Sequence, residues 1–245
     1  MKESTLAGLG VRWTGGDDGQ GGGDGPLAIL LHGYGAPGDD LVPLWRVIPG
    51  PPQTRYLFPE APNAMPPQFG GGRAWWDIDM VGHQMALMAG KAYDLTLEVP
   101  EGLAAARAKV VALLATVGTP ALPAPKDGRV VLGGFSQGAM LSLDVALRTE
   151  FPLSGLALLS GTTVARNEWM PLMASRRGLA VLQSHGREDP LLPFDLAEEL
   201  RDRLTEAGLD VTWVPFRGGH GVPPGVTEAL GSLLRGVGRA TERKA

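Results

Sequence analysis

Short, mostly apolar segments alternate along this chain with segments in which apolar residues recur every three or four positions. The first kind has the length and composition of strands buried on both faces of a sheet. Such strands are predicted at residues 27–31, 55–58, 129–134, 155–160, 178–184 and 211–216. The second kind predicts helices at residues 100–117, 137–148, 193–208 and 223–237, with a shorter helix from about 39 to 48. Strand–helix alternation favours an α/β fold, with a mostly parallel sheet covered by helices on both faces.

Length and composition favour one globular domain spanning residues 1–245. Residues 15–25 are almost entirely Gly and Asp, so they cannot bury enough apolar surface to offset the entropy of ordering. We therefore expect a flexible surface loop there, between two N-terminal strands. The basic end of the chain, residues 239–245, is expected to fray.

The charge and the cysteine content exclude several classes of function. A formal net charge of −4 provides no positive field for nucleic acid or for an anionic membrane. The absence of Cys excludes disulfides, thiolate metal sites and a cysteine nucleophile. No apolar run approaches the roughly 20 residues that span a bilayer, and the first residues lack the pattern of a secretory signal. We expect a cytoplasmic protein with no stable membrane association.

The strongest chemical motif is the G-x-S-x-G sequence at residues 134–138, with Ser136 at its centre. It lies between a predicted strand and a predicted helix, where a sharp turn exposes the serine hydroxyl above the sheet. The start of the following helix lies under the position where negative charge develops during acyl transfer. Ser136 is the candidate nucleophile; the alternative is a Gly-rich turn with a helix-capping serine.

A serine nucleophile needs a general base and an acid that orients it, and in such folds they follow the serine in the order acid, then histidine. Only His185 and His220 follow Ser136. His185 ends a strand before any suitable acid loop, whereas His220 lies in a Gly-rich loop, so His220 is the candidate base. Asp189 lies on a loop between the two histidines and is the candidate acid, with Glu188 as its rival.

Two backbone N–H groups are the candidates for binding the oxyanion of the reaction intermediate. Gln137 follows the nucleophile, and Tyr34 lies between two glycines in the loop after the strand at 27–31. His32, in the same loop, is interpreted as a structural imidazole. No metal and no cofactor is expected, because the histidines other than His220 lie in separate segments and no H-E-x-x-H pair exists.

The connection between residues 58 and 99 is far longer than the roughly 2–6 residues typical of strand–helix connections. We expect it to cover the substrate, because aromatic and thioether side chains suit an adaptable acyl-binding wall. The alternative is that these side chains only close the core. The candidate substrate-binding residues are Trp75, Trp76, Met80, Met85 and Met88.

Six motifs in this order resemble the phospholipase/carboxylesterase family, which includes acyl-protein thioesterases and small bacterial carboxylesterases. They are LLHGYGAPGDDL (30–41), FPEAP (58–62), RAWWDID (73–79), GGFSQGAM (133–140), SHGREDP (184–190) and GGHGV (218–222). The resemblance implies an α/β-hydrolase fold without a large cap domain, acting on carboxylic esters or thioesters. It assigns the triad Ser136, Asp189 and His220, and the N–H groups of Tyr34 and Gln137. The Gly/Asp-rich segment 15–25 departs from the family pattern.

The function predicted from the sequence is hydrolysis of small esters with short to medium acyl chains, through an acyl-enzyme intermediate. The alternative is a lysophospholipase or acyl-protein thioesterase acting on long acyl chains. A binding protein on the same scaffold is disfavoured, because such proteins normally lack a member of the triad.

Overall fold

The computed structural model describes residues 1–67, 71–78, 82, 85, 88 and 96–236, and it is built around one large sheet. Its strands are β1 (Lys2–Leu6), β2 (Leu9–Gly16), β3 (Gln20–Gly22), β4 (Leu27–Leu31), β5 (Arg55–Pro59), β8 (Val130–Phe135), β9 (Gly155–Leu159), β10 (Ala180–Gly186) and β11 (Asp210–Phe216). A separate two-stranded antiparallel sheet consists of β6 (Asn63–Ala64) and β7 (Arg73–Ala74).

The large sheet is mostly parallel, as the alternating pattern predicts. Its strand order is β1-β2-β5-β4-β8-β9-β10-β11, with β3 paired to β2. All neighbours from β5 to β11 run parallel, while β2 is antiparallel to both β1 and β5. All five residues of β4 are buried, which explains why the central strands are apolar without alternation.

Helices cover both faces of this sheet. They are α1 (Leu103–Leu114), α2 (Gln137–Arg148), α3 (Arg166–Met173), α4 (Phe194–Glu206) and α5 (Pro224–Arg235), with 3₁₀ helices at Val42–Arg46 and Ala174–Arg176. Successive side chains of a strand point to opposite faces. Leu27, Ile29 and Leu31 of β4 pack in a core with residues of α1 to α4, whereas Ala28 and Leu30 pack in a second core with α5.

The strand order places a crevice at the carboxyl ends of β4 and β8. The chain passes from β4 to β5 on one side and then crosses back to β8 on the other, so the order reverses between β4 and β8. Ligands of open α/β sheets bind at such a reversal, beyond the carboxyl ends of the strands. The loop that contains Tyr34 follows β4, and Ser136 follows β8, so these two predicted site residues flank the reversal.

Some local predictions differ from the structure. The segment 15–25 is not loop throughout: β2 continues to Gly16, and β3 occupies Gln20–Gly22 after a turn in which Asp18 accepts hydrogen bonds from two N–H groups. The helix expected at about 39–48 is a 3₁₀ helix of five residues with Pro in its first turn. The tail 239–245 lies outside the described residues. Within the described parts of the chain, no helix combines the length and apolar character needed to cross a membrane.

Candidate active site

Ser136 lies at the sharp turn between β8 and α2, in a backbone conformation that side-chain-bearing residues rarely adopt. Its φ of 55° and ψ of −118° fall outside the usual allowed regions. The turn is tight enough to require the flanking glycines: a Cβ on Gly134 would lie 2.6 Å from the carbonyl oxygen of Leu31, and one on Gly138 would lie 2.1 Å from it. The G-x-S-x-G pattern therefore has a steric cause, and the strain is located at the serine.

His220 and Asp189 come together at the carboxyl ends of β11 and β10. His220 Nδ1 lies 2.6 Å from Asp189 Oδ2, and the Asp189 side chain is fully buried. Asp189 Oδ1 accepts hydrogen bonds from the N–H groups of Leu191 and Leu192 at 2.9 and 3.0 Å. Burial alone would raise the pKa of Asp189, but these hydrogen bonds, with that of His220 the strongest, hold the pKa below its ordinary value. The carboxylate is therefore ionised at neutral pH.

Glu188, the rival acid, is directed at the backbone of the His220 loop and not at the imidazole. Its carboxylate accepts a hydrogen bond from Gly218 N–H, and its own N–H donates to the Gly218 carbonyl at 3.0 Å. Phe135, the last residue of β8, packs against the His220 ring at the same edge of the sheet, with ring centroids 4.6 Å apart. The imidazole is thus held by contacts to its ring and to its loop.

A cavity of about 550 Å³ connects the predicted catalytic groups. Ser136, His220, Tyr34 and Gln137 all line it, so the structure brings these four predicted residues to one space. The other lining residues are Gly33, Gly35, Ala36, Pro37, Asp40, Trp76, Ile78, Glu98, Pro100, Phe135, Met140, Val164, Leu191 and Leu192. The volume lies within the range of small-molecule sites, and the wall is largely apolar.

The loop of Tyr34 packs directly on the nucleophile and is braced by His32. A Cβ on Gly33 would lie 3.3 Å from the Cβ of Ser136. His32 Nε2 accepts a hydrogen bond from Ala61 N–H at 2.9 Å, so the ring proton is on Nδ1, which donates to the Gly33 carbonyl at 2.8 Å. Burial lowers the pKa of His32, which keeps the ring in this neutral form.

The side chain of Gln137 makes a contact that the sequence analysis did not anticipate. Its Oε1 accepts a hydrogen bond from Trp75 N–H at 2.9 Å, and its Nε2 donates to the Trp76 carbonyl at 2.8 Å. One residue thereby offers a backbone N–H beside the nucleophile and fastens the segment that carries Trp76 in the cavity wall. The motif fixes the residue after the serine by position, but no local pattern indicates a partner about 60 positions away.

The predicted acyl-binding residues differ in where they lie. Trp76 lines the cavity, whereas Trp75 is 1% exposed and does not line it; its indole N–H donates to the His32 carbonyl at 3.0 Å. Met85 and Met88 are 66% and 80% exposed and do not line the cavity either. Met80 lies outside the described residues. Trp75 is therefore buried in the core, and most of the cavity surface comes from other elements.

Comparison with known proteins identifies the family of this chain. Residues 23–234 match the family described as phospholipase/carboxylesterase. The chain belongs to the phospholipase/carboxylesterase family. It is therefore a carboxylic ester hydrolase with the α/β-hydrolase fold, as the sequence motifs predict.

Individual members of the family are similar over most of the chain. Acyl-protein thioesterase 1 of Gibberella zeae is 26% identical over 217 residues, covering 84% of this chain and 88% of that protein. Acyl-protein thioesterase 1 of Candida albicans is 28% identical over 193 residues, covering 74% of this chain and 77% of that protein. The crystal structure of esterase PE8 has a TM-score of 0.75 at 28% identity and covers 94% of this chain and 99% of that one.

Proposed function

We propose that this protein is a serine carboxylesterase that hydrolyses esters with short to medium acyl chains through an acyl-enzyme intermediate on Ser136. The observation that carries the proposal is the buried, ionised Asp189 at 2.6 Å from His220 Nδ1, with His220 and Ser136 facing one apolar cavity. A carboxylate on Nδ1 keeps the proton there, which leaves Nε2 free to accept the serine proton.

In the acylation half-reaction, Ser136 Oγ bonds to the ester carbonyl carbon as its proton passes to His220 Nε2. The carbonyl oxygen becomes an oxyanion, for which the N–H groups of Tyr34 and Gln137 are the proposed donors. The bond to the alcohol oxygen then breaks, and the alcohol leaves with the proton from His220. Water repeats the sequence on the acyl-enzyme, giving the carboxylic acid and restoring Ser136.

The apolar cavity wall supports an acyl-binding role. Trp76, Met140, Val164 and Leu192 line the space next to Ser136. Each methylene buried against such a wall contributes about 0.8 kcal/mol, as long as space remains. A cavity of about 550 Å³ limits how far the gain continues. We therefore expect kcat/KM to rise from acetyl to hexanoyl or octanoyl esters and then to fall.

A second candidate is thioester hydrolysis on long acyl chains, because relatives of 26% and 28% identity are named acyl-protein thioesterase 1. A panel of p-nitrophenyl esters from acetyl to palmitoyl, with matched thioesters, separates the two. An optimum at medium length with esters preferred supports the proposal. Values of kcat/KM that climb to palmitoyl, or a preference for thioesters, favour the second candidate. The Ser136→Ala variant measures the turnover that does not depend on the proposed nucleophile.

A further inference from the structure

A second, fully buried imidazole contacts the Asp189 carboxylate. His185 lies near the end of β10, four residues before Asp189, and its Nε2 is 3.3 Å from Asp189 Oδ2. The same Nε2 is 2.9 Å from the carbonyl oxygen of Leu192. His185 does not line the cavity, so any effect on the reaction passes through another residue.

The partners of His185 define its protonation. The Leu192 carbonyl can only accept a hydrogen bond, so Nε2 carries a hydrogen. The His185 side chain is fully buried, and this burial lowers its pKa, so the ring is neutral at neutral pH. The Nε2–H group therefore bonds to the Leu192 carbonyl, and the Asp189 carboxylate lies 3.3 Å from the same nitrogen, next to a fixed dipole and not a charge.

His185 also closes the loop on which Asp189 lies. It belongs to the strand before the loop, and it bonds to the carbonyl of Leu192 at the far end. Asp189 Oδ1 is bound by N–H groups of this same loop, so Oδ2 is the oxygen left for His220. An N–H group beside Oδ2 favours the ionised carboxylate and restricts its rotation.

We propose that His185 is a positioning residue for ester hydrolysis: its Nε2–H holds Asp189 aligned on His220 Nδ1. The inference rests on the proposed function, because it assumes that Asp189 orients the base. His185 is excluded as the base by its position before the acid in the chain, and the proposal gives it a different role.

Two substitutions of His185 by an amide residue test where the N–H donor must lie, because both keep such a donor but place it at different distances from Asp189. Glutamine in His185→Gln places an N–H donor about where Nε2 lies, whereas the shorter asparagine in His185→Asn cannot reach Asp189 Oδ2. We expect His185→Asn to lower kcat roughly 10- to 100-fold with KM within about 2-fold, less than the loss from neutralising the acid itself. His185→Gln should keep most of the wild-type kcat.

Gln183→Asn is the matched control for the loss of a buried hydrogen bond. Gln183 lies on the same strand and is buried, and its Nε2 donates to the Ala197 carbonyl at 2.7 Å, away from Asp189. The Gln183→Asn variant should lower the unfolding temperature about as much as His185→Asn does, but leave kcat near the wild-type value. A loss of kcat in Gln183→Asn equal to that in His185→Asn would overturn the proposal, since stability alone would then explain both.

A double-mutant cycle shows whether His185 acts through Asp189. In an Asp189→Asn background, His185→Asn should cost less than about 2-fold in kcat, because its target is already lost. Independent, additive losses, or equal kcat for His185→Asn and wild type, would overturn the positioning role. Ser136→Ala is assayed in parallel: turnover surviving there contradicts the proposed function itself, whatever the His185 variants do.

Discussion

Two adjacent carboxylates follow β10 and differ in what they contact. Asp189 is buried against His220, whereas Glu188 is exposed and bonds to the backbone of Gly218. In the proposed mechanism only Asp189 fixes the tautomer of the base, while Glu188 holds the loop that carries it. Sequence reasoning could not separate the two by residue type, because both are acids on the same loop.

Asp189→Asn is therefore expected to lower kcat by about 10⁴-fold, since an amide N–H beside Nδ1 favours the wrong tautomer of His220. Glu188→Gln keeps an oxygen that can accept from Gly218 N–H, and we expect less than about a 5-fold loss, in line with a neutral hydrogen bond being weaker by roughly 1 kcal/mol. Steady-state kinetics on one medium-chain ester measure both. A severe loss in Glu188→Gln beside a mild one in Asp189→Asn would reverse the assignment.

At the scale of elements, α2 and the segment from Arg73 to Trp76 act as one unit. Gln137 joins them by two hydrogen bonds, and Gly35 N–H bonds to the Arg73 carbonyl at 2.9 Å, which adds the loop of Tyr34. These hydrogen bonds connect three parts of the site: the cavity wall at Trp76, the turn at Ser136 and the loop of Tyr34. The positions of the N–H groups of Tyr34 and Gln137 are therefore linked to the position of Trp76 in the cavity wall.

Gln137→Met tests this coupling, because it keeps the backbone N–H but removes both side-chain hydrogen bonds. We expect kcat/KM for a hexanoyl ester to fall about 3- to 10-fold more than for an acetyl ester, since loosening Trp76 removes contacts that only the longer chain makes. The measurement is the ratio of the two kcat/KM values. Gln183→Met, which also removes a buried amide, should leave that ratio unchanged. An unchanged ratio in Gln137→Met would show that the two hydrogen bonds of the Gln137 side chain do not shape the proposed acyl site.

The elements that the sequence predicts well are those whose signal is local. The boundaries 137–148 match α2 residue for residue, because a strained Ser136 and apolar helical spacing lie side by side. Helix α3 at Arg166–Met173 is not among the predicted helices, since it is short, begins with three polar residues and contains Pro171. The sequence predicts both Trp75 and Trp76 in the substrate wall, because adjacent tryptophans in one segment cannot be distinguished by residue type. Which of them lines the cavity depends on contacts with Gln137 and His32, both far away in sequence.

At the scale of the whole molecule, the part of the chain that the structure describes contains two histidines buried in the neutral form. His32 and His185 are buried, and burial lowers the pKa of each below 6.5. Below that value the unfolded chain binds protons that the folded protein does not, so stability decreases as pH falls. Asp189, whose pKa is depressed, adds a further loss only as pH falls below about 3.8, its ordinary value.

The free energy of unfolding should therefore decrease between pH 7 and pH 5, with up to two protons taken up on unfolding. Urea unfolding at fixed ionic strength measures this slope. His185→Gln removes one of the two groups and should make the dependence shallower. Asp40 works in the opposite sense, because burial raises its pKa, so the difference between wild type and His185→Gln isolates the histidine contribution. Equal slopes for the two proteins would contradict a neutral, buried His185.

Labelling with a fluorophosphonate can show whether Ser136 is the residue that is acylated during turnover. The reagent phosphonylates activated serines, and peptide mass spectrometry locates the adduct. We predict one adduct per chain, on the peptide that contains Ser136, loss of ester hydrolysis in step with labelling, and no adduct in Ser136→Ala. An adduct on another residue, or full hydrolysis by protein whose Ser136 is quantitatively modified, would contradict acylation at Ser136.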